Sequence, residues 1–286
     1  MKGTLKAGTK TVKLKLVTSS NDIVYHHPVS DAGVPLRFLK HTLRHTPNLG
    51  HEWHAAKELL ELVRSPIYRG EGVQRGNGEP VMLIPGIMCT DHTLYIMRGW
   101  LNKIGYRAYT SEILNVLPAS NVLPRLENRL KEITDETGRP ATLIGQSFGG
   151  ALAKLLSDRM PHEVSKVIGL VPVFNSAIGV TPLLLTGLLP MGVTSVAKLG
   201  PEIVKKEIDV FHQLDEPASV RLISIYTKKD GILTYRTCLR KDAKHYEVDG
   251  THLGMGLNKY AYQLTSQFLH QRRVPKSSGP GLKVAA

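Results

Sequence analysis

Apolar positions along this chain follow two rhythms that take turns. The run Val81-Met82-Leu83-Ile84 is short and continuous, the mark of a strand buried on both faces of a parallel sheet. Further strands are predicted at 106–110, 141–145, 164–171, 220–226 and 245–248. Between them the period lengthens to that of a helix. Residues 92–104 turn Leu94, Met97, Trp100, Leu101 and Ile104 to one side, and Gly105 ends the pattern. A second helix, capped by Asn121 and carrying Leu126, Leu130 and Ile133, closes at Gly138 and Pro140. A third runs to about residue 159 and a last one covers roughly 257–271. Strands alternating with helices at this spacing predict an α/β fold, a doubly wound, mostly parallel sheet within residues 76–271.

Two stretches break the rhythm. In the first, residues 1–75, positions 1–30 are polar and basic, and the alternation Val12-Lys13-Leu14-Lys15-Leu16 predicts an edge strand or an extended arm. Residues 36–65 predict two helical pieces, the second with Trp53, Ala56, Leu59, Leu60 and Val63 on one packed face before Pro66. A basic arm and a helical prefix packed on the main domain are therefore expected. The other break, residues 174–200, is rich in Gly, Thr and Pro, and carries no charge from 174 to 197. It holds Leu183, Leu184, Leu185, Leu188 and Leu189, and predicts an apolar cap or a buried helix pair. The tail at 272–286 has the Pro, Gly and Lys content of a disordered segment.

Length and charge narrow this picture. A chain of 286 residues buries a sizeable core, and 42% apolar content is clear of the disordered class. Residues 1–20 lack the continuous apolar core of a secretory signal, and no stretch has the length of a membrane span. Cys89 and Cys238 sit in no metal-ligand spacing and predict no disulfide framework. A cytoplasmic protein is expected. The net charge of +13 fits a solvated basic surface, with peripheral contact to anionic membranes as the sharper reading. The basic residues are spread along the chain without interleaved aromatics, which argues against a nucleic-acid partner. His41, His45, His51 and His54 raise the question of a metal. His51-Glu52-Trp53-His54 is one residue short of His-Glu-x-x-His, with Ala at 55, so no metal site is expected.

The chemistry centres on Ile144-Gly145-Gln146-Ser147-Phe148-Gly149-Gly150. An apolar run leads into Gly-x-Ser-x-Gly and a helical pattern follows, the arrangement that lifts a serine hydroxyl above the edge of a sheet. Glycines at 145 and 149 let strand and helix pack closely around a strained serine backbone. A serine hydroxyl needs a base within hydrogen-bond reach, and the base needs a group to orient it. Asp230 follows the strand ending at Tyr226, and His252 follows the next one, in the order serine, acid, histidine. Asp209, Asp215, Asp242 and Asp249 are alternative acids, but only Asp230 directly follows a strong apolar strand. Backbone N–H groups of Phe148 and Ile87 are the expected donors to an oxyanion, with Gly86 allowing close approach.

With these residues in view, the chain resembles bacterial serine esterases and lipases of the α/β-hydrolase superfamily. The resemblance rests on Leu83-Ile84-Pro85-Gly86, the serine segment, Tyr226-Thr227-Lys228-Lys229-Asp230-Gly231 and Gly250-Thr251-His252-Leu253-Gly254-Met255-Gly256-Leu257-Asn258. It covers roughly residues 78–270 and is closest to a little-described bacterial subgroup in which position 146 is more often Trp or His than Gln. The resemblance implies hydrolysis of carboxylic esters through an acyl-Ser147 intermediate, with no metal or organic cofactor. Thioester hydrolysis or acyl transfer by the same residues, and a non-catalytic membrane-surface binding role, stay open beside it. The implied partner is a small ester with an apolar acyl group, contacted by Met88 and Gln146 and, from the insert, by Leu185 and Leu189.

Overall fold

A computed structural model describes residues 2–7, 10–16, 49–114, 119–175 and 201–270. Eight strands form one sheet: β1 (Lys2–Ala7), β2 (Lys10–Leu16), β3 (Pro80–Ile84), β4 (Arg107–Thr110), β5 (Ala141–Gln146), β6 (Val164–Leu170), β7 (Arg221–Tyr226) and β8 (Ala243–Glu247). Their order is β1-β2-β8-β7-β6-β5-β3-β4. The six strands β3 to β8 run parallel, the predicted α/β architecture. The alternating basic run near residue 14 does form a strand. It pairs antiparallel with β8 on one side and with β1 on the other, so a hairpin from the arm extends the sheet.

Among the described residues the helices are α1 (Leu49–Glu52), α2 (Ala55–Arg64), α3 (Pro66–Arg69), α4 (Tyr95–Lys103), α5 (Ala119–Thr137), α6 (Phe148–Arg159), α7 (Pro201–His212) and α8 (Lys259–His270). The stripe predicted for α4 is buried throughout, with Trp100 packed on Tyr262 of α8. Gly105 and Gly138 close α4 and α5 in the left-handed conformation that glycine adopts without a Cβ clash. α5 begins at Ala119, so Asn121 lies inside its first turn and is not its cap. Leu126, Leu130 and Ile133 of α5 join Leu152 and Leu156 of α6 in the core on one sheet face. α3, α4 and α8 cover the other face.

The packed face expected of the prefix is overturned. Trp53 is 75% exposed, and Ala56, Leu60 and Val63 are exposed as well. The inward stripe is instead Glu52, Glu58, Leu59 and Leu62. The loops that α1 and α2 meet present backbone N–H groups, and carboxylates satisfy such donors where an apolar stripe leaves them unpaired. His51 and His54 lie side by side with ring centroids 4.8 Å apart, and His54 Nδ1 is bonded to the His51 carbonyl. Among the described residues no group of three or more His, Cys, Asp or Glu could hold a metal ion. His41 and His45, the insert from 176 to 200 with Leu185 and Leu189, and the tail from 271 lie outside the described residues. No described helix is long and apolar enough to cross a membrane. Both cysteines are free thiols.

Candidate active site

The sheet reverses direction of winding between β3 and β5, and in such folds the crevice beyond the strand ends at that reversal receives ligands. Ser147 stands there, at the end of β5, with φ 54° and ψ −122°. That is left-handed backbone, which a non-glycine residue adopts only under constraint. Here the constraint is visible. Ser147 N–H donates to Leu170 O at 2.9 Å, and its own carbonyl accepts from Gly150 and Val173. A Cβ on Gly145 would run into the Gly149 backbone, and one on Gly149 into the carbonyls of Ile84 and Pro85. Neither position admits a side chain while β5 and α6 keep this approach. Val171 and Met88, in neighbouring loops at the same edge, also hold positive φ, so backbone strain gathers around the serine.

Ser147 Oγ lies 2.9 Å from His252 Nε2, and His252 Nδ1 lies 2.6 Å from Asp230 Oδ2. All three residues are buried, at 6%, 4% and 6% exposure, so the chain of hydrogen bonds is shielded from bulk water. Asp230 is held by its other oxygen, which accepts the N–H groups of Ile232 and Leu233 at 2.8 and 2.7 Å. Burial opposes charging of His252, but the Asp230 carboxylate, through charge and hydrogen bond, and the charge of Glu52 outweigh it. The imidazole pKa is raised above 6.5. With Nδ1–H donating to Asp230, the ring presents the Nε2 lone pair to the serine hydroxyl. Such a pair can remove the hydroxyl proton as the oxygen attacks an electrophile. Asp209, Asp215, Asp242 and Asp249 are not in this position. Asp242 instead pairs with Arg240 and accepts the Ala218 N–H, and Asp249 pairs with Lys229.

The loop after β3 lies against the nucleophile. A Cβ on Gly86 would stand 3.5 Å from Ser147 Cβ. Ile87 follows Gly86 in this loop, and Phe148 is the first residue of α6, directly after the serine. Met88 is 42% exposed in the same loop. Gln146 is placed differently from expectation. It is buried, and its amide nitrogen donates to the carbonyls of His252 at 3.2 Å and Leu253 at 3.5 Å. Its amide braces the histidine loop.

The sequence pattern did not reveal Glu52 and Glu58. Glu52 Oε1 accepts Gly231 N–H at 2.9 Å and His252 N–H at 3.1 Å, while Oε2 accepts Leu253 N–H at 2.7 Å. Glu58 takes the N–H and hydroxyl of Thr251 and the Asn258 amide at 2.7–2.8 Å. Burial raises the Glu58 pKa against these hydrogen bonds, which favour the charged form. A Cβ on Gly254 would overlap this carboxylate, which accounts for one glycine of the Gly-Thr-His-x-Gly segment. Both glutamates face the same way as Leu59 and Leu62.

No protein-family model matches the chain, and no curated protein matches it in sequence. Solved structures do. The mature form of the Bacillus licheniformis lipase BlEst2 aligns with a TM-score of 0.50 and 16% identity, over 69% of this chain and 94% of that one. A structure from the pair LipS and LipT, two metagenome-derived lipolytic enzymes, gives a TM-score of 0.51 and 11% identity, over 69% and 95%. Taken with the parallel sheet and the strained serine at its edge, these matches show that the chain has the α/β-hydrolase fold, in company with lipolytic enzymes of low sequence identity.

Proposed function

We propose that this protein is a serine hydrolase of carboxylic esters. The observation that carries the reading is the buried sequence of contacts from Ser147 Oγ to His252 Nε2 and from His252 Nδ1 to Asp230, at 2.9 and 2.6 Å. In the first half-reaction Ser147 Oγ bonds to the ester carbonyl carbon, and its proton passes to His252 Nε2. Asp230 holds the ring and stabilises the imidazolium that results. Negative charge collects on the former carbonyl oxygen, where the N–H of Phe148, first residue of α6, and the N–H of Ile87 are its donors. As the tetrahedral adduct collapses, the C–O bond to the alcohol breaks and His252 returns the proton to the departing oxygen. Water then attacks the acyl-Ser147 carbonyl, giving its proton to His252. The acid leaves, and the proton returns to the serine.

The test is turnover of chromogenic esters of increasing acyl length by the wild-type protein and Ser147→Ala. Hydrolysis that falls on the order of 10⁴-fold or more in the folded variant supports the reading, and equal rates in both proteins contradict it.

A further inference from the structure

Glu52, a buried carboxylate on neither loop, bonds to both the acid loop and the base loop. It is 5% exposed, and a carboxylate removed from water needs donors. Among the described residues those donors are all backbone: Gly231, next to Asp230, and His252 and Leu253. No Lys or Arg of the described chain pairs with it, so its charge is not cancelled locally. The His252 backbone is gripped from two sides, its N–H by Glu52 and its carbonyl by Gln146. Asp230 and His252 lie on loops after different strands, so nothing in the sheet alone sets their relative position to a fraction of an ångström. We infer that Glu52 is a positioning residue, tying the Asp230 loop to the His252 loop from outside the sheet and holding their hydrogen bond in register.

The inference rests on the ester-hydrolase reading and adds to it. It gives the helical prefix a role in turnover, through a residue that need not touch substrate. Displacement of a reacting group by about 1 Å costs on the order of a hundredfold in rate, so a clamp spanning both loops has leverage. The negative charge also favours the imidazolium that forms when His252 takes the serine proton. The groups facing His252 from the described elements are Asp230 after β7, Ser147 after β5 and Glu52 on α1. Glu58 on α2 is bonded to Thr251 next door, and the Cys238 thiol beside Asp230 is kept protonated by burial.

The experiment compares full-length wild type, Glu52→Gln, Glu52→Asp and Glu61→Gln, the last an exposed residue of α2 paired with Lys259. The readouts are the rate of Ser147 labelling by a fluorophosphonate, and kcat and KM on p-nitrophenyl butyrate across the pH range. Glu52→Gln keeps the size but loses the charge and an acceptor. Labelling and kcat should fall roughly tenfold or more, the loss of charge-assisted hydrogen bonds, with KM within about twofold. Its acid limb should move to lower pH. Glu52→Asp keeps the charge but is one methylene too short to span both loops. Its kcat should fall while the acid limb stays in place. Glu61→Gln should match wild type. A role in stability alone would lower melting temperature and leave kcat and the limb unmoved in the folded variants, and that result overturns the inference. If Glu52→Gln does not fold, Glu52→Asp decides by the same criterion of kcat. Wild type that is neither labelled nor active would remove the ester reading itself. Active wild type with both Glu52 variants at full rate would remove only the clamp.

Discussion

The two sides of the candidate site are built by opposite means. On the α6 side, Ser147 is set by apolar packing: Phe148, Leu152, Leu155 and Leu156 are buried in a core shared with α5 and β5. On the α1–α2 side, the loops of Asp230 and His252 are set by two carboxylates that collect backbone N–H, hydroxyl and amide donors, while Trp53 and Leu60 face outward. The contrast separates two ways of fixing a residue. Apolar packing is diffuse and tolerates small losses, whereas a carboxylate on a few N–H groups is directional and fails when one partner goes. The helix behind the nucleophile is held by the first means and the loop of its base by the second.

Substitutions on each side test this contrast. Asp230→Asn should reduce ester hydrolysis on the order of 10³- to 10⁴-fold by upsetting the histidine tautomer, with little loss of melting temperature. The same change at Asp249, paired on the surface with Lys229, should leave kcat within about twofold, as steady-state assays would show. On the apolar side, Leu152→Ala should cost about 2–5 kcal/mol in denaturant unfolding, with activity per folded molecule largely kept. Glu58→Gln should cost about 1–3 kcal/mol, because it weakens acceptance from Thr251 and Asn258 at a buried site. Leu60→Ser or Val63→Ser, at side chains 46% and 40% exposed, should stay within about 0.5 kcal/mol. A loss as large as that of Leu152→Ala would show that this face is covered in solution.

Acidity tests the polar side in a further way. His252 must be neutral to accept the serine proton, and its pKa is raised above 6.5 by Asp230 and Glu52 against the effect of burial. The acid limb of kcat/KM should therefore lie above pH 6.5, with activity lost as pH falls through it. His245 moves the other way. Burial lowers it to about 4, and its Nε2 accepts the Arg240 N–H. A histidine whose folded pKa is depressed lends stability that is full above pH 6.5 and lost as pH falls toward 4. Melting temperature should decline less steeply over that window in His245→Gln than in wild type.

Much of this was legible in the sequence, and the division follows from the physics. Ser147, Asp230 and His252 could be placed because each follows an apolar run, and a parallel sheet delivers all such loops to one edge. The glycines around Ser147 were legible because their constraint is local, one backbone against the next. Glu52 and Glu58 were not, because their partners lie nearly two hundred residues away, and those of Glu52 are backbone donors that leave no trace in side-chain pattern. The same gap accounts for Trp53, Leu60 and Val63: their apolar stripe predicts a packed face, whereas this helix docks through carboxylates. Gln146 was read as a substrate contact from its place beside the nucleophile. Its bond to the His252 carbonyl depends on a loop more than a hundred residues further on.

The most direct test of the account is the mass of the protein trapped during turnover. Wild type mixed with a chromogenic ester and quenched in acid should gain the mass of one acyl group, and peptide mapping should place it on Ser147. The adduct should be lacking in Ser147→Ala and form slowly in Asp230→Asn. Steady ester hydrolysis with no adduct on Ser147, or with the acyl group on another residue, would contradict the central claim.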